Sequence, residues 1–240
     1  MAASTFRMQL RDSPRLSAAF CATIDVERSN YDEKLALILR TAAGVFAKKG
    51  YHRASIRDIS RATGVSLSGL YYYFDSKEEL LFLIQDQCFR TVLDNLDELI
   101  ADVEEPRRRL RLLVENHLRF FVGNMDEMKV LSHEADSLSG DYRRRVDDLK
   151  RRYSRLCADM VEALKPAEST VDVRVATFAL FGMNWIYNWY RPGRDVPVEK
   201  VAEDMTRLFL EGHLCMGRTD LAPDTDEPAG GDTSPSIWRR

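Results

Sequence analysis

Between Ser55 and Leu81 the chain holds two short helices, a tight turn and the start of a third helix within fewer than thirty residues, which leaves little freedom for any other local architecture. Ser55 is a good N-cap. Ile56 and Ile59 recur at one-face spacing, and Arg57 and Arg61 stand four apart on another face. Thr63-Gly64-Val65 ends this helix, because glycine tolerates the left-handed conformation that helix C-termini commonly need, and Ser66 can cap the next one. The turn is about three residues long, as a helix-turn-helix requires.

The second helix, expected to run to Phe74, advances about 100° per residue. Leu67, Leu70 and Phe74 then form an inward stripe, while Gly69 and Tyr72 point outward, flanked by Ser68 and Tyr73. The outward strip is small and aromatic-polar. It suits a major groove about 12 Å wide, where hydroxyls reach phosphates or base edges. Tyr71, Tyr72 and Tyr73 cannot all face one core, so at least one is exposed. Ser76 and Glu79 form a capping-box pattern that starts a further helix. The macrodipole disfavours a cation in a first turn, so a phosphate near Lys77 would explain that lysine.

With these residues the chain resembles the TetR family of bacterial one-component regulators. Ala43, Phe46, Gly50 and Tyr51 precede the capped helix, and Ile59, Gly64, Val65, Ser66, Leu70, Tyr71, Phe74, Lys77, Glu79 and Leu80 follow in register, so the likeness spans Tyr31 to Leu81. The resemblance implies that Ser55, Arg57, Leu67, Ser68, Gly69, Tyr71, Tyr72, Tyr73 and Lys77 lie at DNA. Ser66 would open the segment, Ser66 to Phe74, that enters a major groove. Two positions depart from the family pattern: Ser68 stands where glycine is frequent, and Gly69 where a small residue with a Cβ is. A mid-helix glycine costs about 1 kcal/mol relative to alanine. The expectation is that Gly69 allows closer backbone approach to DNA. The tyrosine run leaves few bidentate readers of bases.

A net charge of -3 over 240 residues means that DNA affinity must come from a local cluster such as Lys48, Lys49, Arg53, Arg57 and Arg61. The 45% hydrophobic content supports a real core. Cys21, Cys88, Cys157 and Cys215 contain no Cys-x-x-Cys pair, and His52, His117, His133 and His213 show no ligand spacing. Neither disulfides nor zinc are indicated. No long uncharged apolar run and no basic-apolar-small leader is present, so a cytoplasmic protein with no membrane partner is expected.

The expected organisation is all-α: a three-helix helix-turn-helix head at 31–80 on a larger ligand-binding and dimerisation body at 81–216. Extensions at 1–30 and 217–240 have the composition of disordered tails. Body helices are expected at Ser76 to Val103, Arg107 to Asn124, Met128 to Ser137, Asp141 to Leu164, Val171 to Tyr190 and Val198 to Met216. Pro106, Gly140, Pro166 and Pro192-Gly193 punctuate them.

The helix at Val171 to Tyr190 is apolar almost all round, so it is expected to be buried on two sides, with Gly182 allowing close approach. Val201, Met205, Leu208 and Phe209 give the last helix a similar stripe. The family resemblance implies that these two helices build an intersubunit four-helix bundle, with Phe178, Gly182, Met205, Leu208 and Phe209 at the dimer contact.

The segments Phe181 to Gly193 and Leu131 to Tyr153 resemble the branch of the family that responds to acyl-CoA and controls fatty-acid, sterol and aromatic-acid breakdown. That resemblance implies a small-molecule effector, no other cofactor, and Trp185 as the leading ligand contact. Phe181 stands where an arginine can meet the thioester ligand. Glu134, Tyr190 and the basic run Arg143, Arg144, Arg145, Arg151 and Arg152 are further ligand candidates, since guanidinium groups suit phosphates.

These expectations converge on a homodimeric repressor released from a pseudopalindromic operator by a small molecule. Alternatives are a related regulator of another hydrophobic ligand or drug, and a helical protein-interaction scaffold. An all-α enzyme would need a convergent catalytic set, and His133, Glu134 and Asp136 lack a third placed ligand.

Overall fold

The computed structural model describes residues 18–134, 136–169 and 171–215, with side chains between 30 and 212. The expected tail at 217–240, Met216 and residues 1–17 lie outside these bounds. All regular structure among the described residues is helical. The head comprises α1 (Ala18–Lys49), α2 (Ile56–Thr63) and α3 (Leu67–Leu70). The body follows with α4 (Lys77–Ile100), α5 (Pro106–Gly123), α6 (Met125–His133), α7 (Gly140–Glu162), α8 (Val173–Leu180), a 3₁₀ segment (Phe181–Trp185), α9 (Ile186–Trp189) and α10 (Val198–Cys215).

Local chemistry explains most boundaries. Glu105 caps α5 by accepting the N–H groups of Arg107 and Arg108, and Pro106 occupies the first helical turn, where its missing N–H costs nothing. Asp172 caps α8 in the same way through the Arg174 N–H.

Three expectations are corrected. The backbone of α1 is already helical at Ala18, so residue 30 does not end an unstructured extension. Once a helix is nucleated, each added residue gains a hydrogen bond, and weak periodicity does not stop it. α3 stops at Leu70 instead of Phe74; Tyr71 to Tyr73 form a turn in which the Tyr73 N–H donates to the Leu70 carbonyl at 2.9 Å. The single helix expected at Val171 to Tyr190 is interrupted by the 3₁₀ segment, where Gly182 and Asn184 are poor α-formers.

Two apolar cores result. Phe46, Ile59, Leu70, Phe74 and Leu80 fill the head, and Val130, Leu138 and Val146 from the body complete that same cluster. The other core joins Leu93, Leu96, Leu113, Leu118, Cys157 and Met183 within the body. α1 packs on both α2 and α6, α4 on α7, and α5 on α10. Burying a side chain such as Phe46 or Leu96 contributes about 1.5–3 kcal/mol. The head is thereby seated on α6 and α7 rather than tethered to them. No helix among the described residues is long and apolar enough to cross a membrane.

Candidate functional site

The helix-turn-helix is fixed by short-range hydrogen bonds. Ser55 and Asp58 form a full capping box, with the Asp58 N–H donating to Ser55 Oγ at 3.2 Å and the Ser55 N–H to Asp58 Oδ2 at 3.0 Å. Lys49 donates to Asp58 Oδ1 at 2.8 Å, and this bond, with those from Ser55, holds the carboxyl well below the usual carboxylate range. Gly64 takes φ 70°, the left-handed cap that α2 needs. Ser60 Oγ donates to the Val65 carbonyl at 2.6 Å, and Ser66 Oγ accepts the Gly69 N–H at 3.1 Å.

Gly69 has a structural cause. A Cβ there would lie 2.9 Å from Val65 Cγ1 and 3.1 Å from Ser66 Oγ, so the Val65 or Ser66 side chain would have to shift to admit one. Close approach to DNA is not needed to explain this glycine.

Most of the expected contact residues lie on the surface of the head. Ser55, Arg57, Ser66, Leu67, Ser68, Tyr71 and Tyr72 are exposed, Tyr72 by 73%, while Gly69, Tyr73 and Lys77 are half-buried. Leu67, assigned to the inward stripe, is instead exposed; of that stripe Leu70 and Phe74 turn inward. Tyr31 of α1 stacks on Tyr73 at 4.9 Å and meets Tyr72 edge-on at 5.8 Å.

Lys77 requires a correction. Its ammonium donates to the carbonyls of Tyr51 at 3.0 Å, Ala54 at 3.1 Å and His52 at 3.4 Å, and lies 4.4 Å from the Tyr51 ring centroid. These partners account for a cation in the first turn of α4 without a phosphate. Of the expected basic cluster, Lys49 and Arg61 are engaged with Asp58, whereas Arg57 and Lys48 have no ion pair among the described residues.

A cavity of about 270 Å³ lies in the body. Its walls are Phe89 and Val92 of α4, His117 and Phe121 of α5, Leu131 and Ser132 of α6, Lys150, Tyr153 and Ser154 of α7, and Phe181 and Asn184 of the 3₁₀ segment. The exposed Ser132 and Ser154 mark its mouth. His117 Nδ1 sits 2.8 Å from the Tyr153 hydroxyl, and burial pushes the imidazole down to about 3. Burial also raises Tyr153 well above its ordinary value and Cys157 to about 12, so all three are neutral near pH 7. Lys150 is half-buried, and desolvation lowers its pKa against the attraction of Asp147 and Asp136. A larger hollow of about 580 Å³ beside α1 and α2, lined by Lys48, Lys49 and Arg61, is an open surface dish.

Of the expected ligand contacts, the structure brings only Phe181 to this cavity, where its ring stacks with Tyr153 at 6.4 Å. Trp185 is 67% exposed and does not line it. Glu134 accepts the Tyr51 N–H and links body to head. Tyr190 is buried, with its hydroxyl donating to the Val196 carbonyl at 3.0 Å. Arg144 pairs with Asp141 on the surface. The other arginines of the run are likewise engaged: Arg143 with Asp136, Arg145 with Asp86, Arg151 with Asp148 and Arg152 with Asp97. Spaced one turn from their acids or facing a neighbouring helix, they form an ion-paired face.

The outer side of α8 to α9 carries Val175, Phe178, Trp185 and Trp189, with Phe178 74% exposed, and Gly182 is exposed in the same row. On α10, Leu208 is 69% exposed, while Met205 and Phe209 are half-buried against the body core.

Residues 38–84 match the family model described as bacterial regulatory proteins, tetR family, and residues 103–213 match tetracyclin repressor-like, C-terminal domain. A solved TetR-family transcriptional regulator from Bordetella parapertussis 12822 is 32% identical, over 75% of this chain and 95% of that one, with a TM-score of 0.69. The chain belongs to the TetR family. It is therefore a ligand-responsive, DNA-binding transcriptional regulator. It is also similar to the transcriptional repressor KstR2 of Rhodococcus jostii (strain RHA1), 29% identical over 73% of this chain and 88% of the relative. AibR, solved in complex with isovaleryl coenzyme A and operator DNA, is 26% identical over 73% of this chain and 97% of that one, with a TM-score of 0.64.

In this TetR-family chain, sequence reasoning missed His117, Tyr153, Lys150 and Asn184 as cavity residues. One signal was available for His117. It stands four residues from both Leu113 and Phe121, on the apolar stripe of α5, where a polar ring needs a partner. Lys150 and Asn184 meet it only through tertiary packing.

Proposed function

We propose that two copies of this chain form a repressor that holds a pseudopalindromic operator and releases it when an acyl-CoA seats its acyl end in the 270 Å³ cavity. The observation that carries this reading is the position of that cavity. Leu131 and Ser132 line it at the end of α6, and two residues further Glu134 accepts the Tyr51 N–H of the head. A ligand that displaces the α6 wall must therefore strain the seat of the DNA-binding unit. The AibR complex and the KstR2 name support the effector class and the sign of regulation.

The exposed face of Val175, Phe178, Gly182, Trp185, Trp189 and Leu208 supports the dimer. So large an apolar surface on a soluble monomer marks an interaction site. Two-fold symmetry puts half-sites about one helical turn, roughly 34–36 Å, apart. The outward Arg57, Ser68 and Tyr72 would meet each half-site, in the cytoplasm.

Selection of genomic fragments on the purified protein, repeated with CoA thioesters and the corresponding free acids, tests both ends of the switch. We expect fragments to be retained and then released by a thioester, with free acids ineffective. Release by free hydrophobic acids or drugs alone contradicts the acyl-CoA assignment, and retention of no DNA contradicts the repressor.

A further inference from the structure

The cavity contains a polar point within a largely apolar wall. His117 is 2% exposed, and its Nδ1 edge is committed to the Tyr153 hydroxyl. Its other ring nitrogen, Nε2, is buried with no hydrogen-bond partner, and so is Asn184 Oδ1. Both residues line the same cavity. Asn184 approaches His117 closely enough to oppose the effect of burial on the imidazole, without a well-formed hydrogen bond between them. Buried polar atoms are rarely left unpaired, because each has forfeited its water.

We propose that His117 Nε2 and Asn184 form a hydroxyl-recognition point, so that the part of the effector entering the cavity is a hydroxylated apolar group rather than plain hydrocarbon. This rests on the cavity being the effector site. A hydroxyl both donates and accepts: with Nε2 protonated it accepts from the imidazole and donates to Asn184 Oδ1, and with Nε2 unprotonated it donates to the ring and accepts from the Asn184 amide N–H in the other orientation. A carbonyl can only accept, so it leaves Asn184 Oδ1 unpaired in the orientation the structure gives and Nε2 unpaired whenever that nitrogen bears no proton. A carboxylate at this point would be buried against a neutral imidazole, while the cation of the lining, Lys150, is already opposed by Asp147 and Asp136. Phe89, Phe121 and Phe181 supply the apolar remainder. The hydroxyl then decides which of several similarly sized acyl groups acts as effector, since a site built to pair a hydroxyl discriminates strongly against the analogue lacking it.

Phenol and toluene test this directly, being matched in shape and differing in the hydroxyl alone. Calorimetric titration of the full-length protein should show phenol binding at least about tenfold tighter than toluene, or about 1.4 kcal/mol. Asn184→Leu and His117→Phe should each bring the two affinities within about twofold while keeping toluene binding. Thermal melts identify a variant that fails to fold, and the parent's preference together with the remaining variant then decides. Equal affinities in the parent overturn hydroxyl recognition yet leave the cavity as a binding site. A preference that survives in both variants overturns the assignment to these two residues. Binding of neither probe overturns both this inference and the effector-cavity reading beneath it.

Discussion

The Glu134 carboxylate accepts the Tyr51 backbone N–H at 3.0 Å, joining residues 83 apart in the chain and tying the end of α6 to the head. The same residue accepts from Ser137 Oγ at 2.8 Å, and its carbonyl accepts from Gln85 Nε2 at 3.3 Å. Head, α4 and the α6–α7 connection thus meet at one residue, the head and Ser137 through its carboxylate and α4 through its backbone carbonyl. Glu134→Ala should preserve operator binding but weaken its response to effector. Allosteric coupling typically amounts to about 1–3 kcal/mol, or roughly 5- to 150-fold in affinity. Operator affinity measured with and without effector should therefore differ by less than about half as much, on a logarithmic scale, in the variant; an unchanged response removes Glu134 from the route.

Lys77 and Arg57 should separate stability from phosphate contact. Lys77→Ala loses three carbonyl partners and the Tyr51 ring, so it should lower the unfolding free energy by about 1–3 kcal/mol while leaving the salt dependence of operator binding intact. Arg57→Ala removes an exposed cation with no ion pair among the described residues, and should reduce the salt slope by about one unit with little effect on the melting temperature. The reverse pattern, read from affinities at several salt concentrations, would return Lys77 to the DNA.

The exposed aromatic face should hold the dimer together. Phe178→Glu combined with Trp185→Glu would place carboxylates in an apolar contact, and should raise the dimer dissociation constant at least about a hundredfold, near 2.7 kcal/mol. Sedimentation should show monomers at concentrations where the parent is dimeric. A dimer of parental strength would move the interface elsewhere.

His117 should make stability acid-sensitive. The buried imidazole titrates near 3, against 6.5 for the ordinary group, so between these values the unfolded chain binds a proton that the folded chain refuses. Stability from this residue is complete above about pH 6.5 and declines as pH falls, by up to about 1.36 kcal/mol per unit. Urea unfolding at pH 7 and 5.5 should show a loss about 1 kcal/mol smaller in His117→Gln than in the parent. Equal losses would mean that His117 is protonated in the folded state.

The caps at Ser55, Ser66 and Ser76 and the left-handed Gly64 were legible because each depends on partners within a few residues. So was the exposure of part of the tyrosine run, which follows from helix geometry. The ligand role expected of Trp185 rests on the family resemblance; helix periodicity puts Trp185 in one row with Phe178, Gly182 and Trp189, and that row is exposed. The bonds of Lys77 and Glu134 were not legible for another reason: their partners, around Tyr51, are distant in sequence and come close only through tertiary packing. Local periodicity contains no record of such contacts.

Footprinting of the DNA fragments retained by the purified protein tests the central claim most directly. The account predicts protection of a pseudopalindrome with half-sites about one helical turn apart, lost in Tyr72→Ala combined with Arg57→Ala although that variant remains a folded dimer. A protected site without two-fold symmetry, or protection unchanged in the double variant, would contradict it.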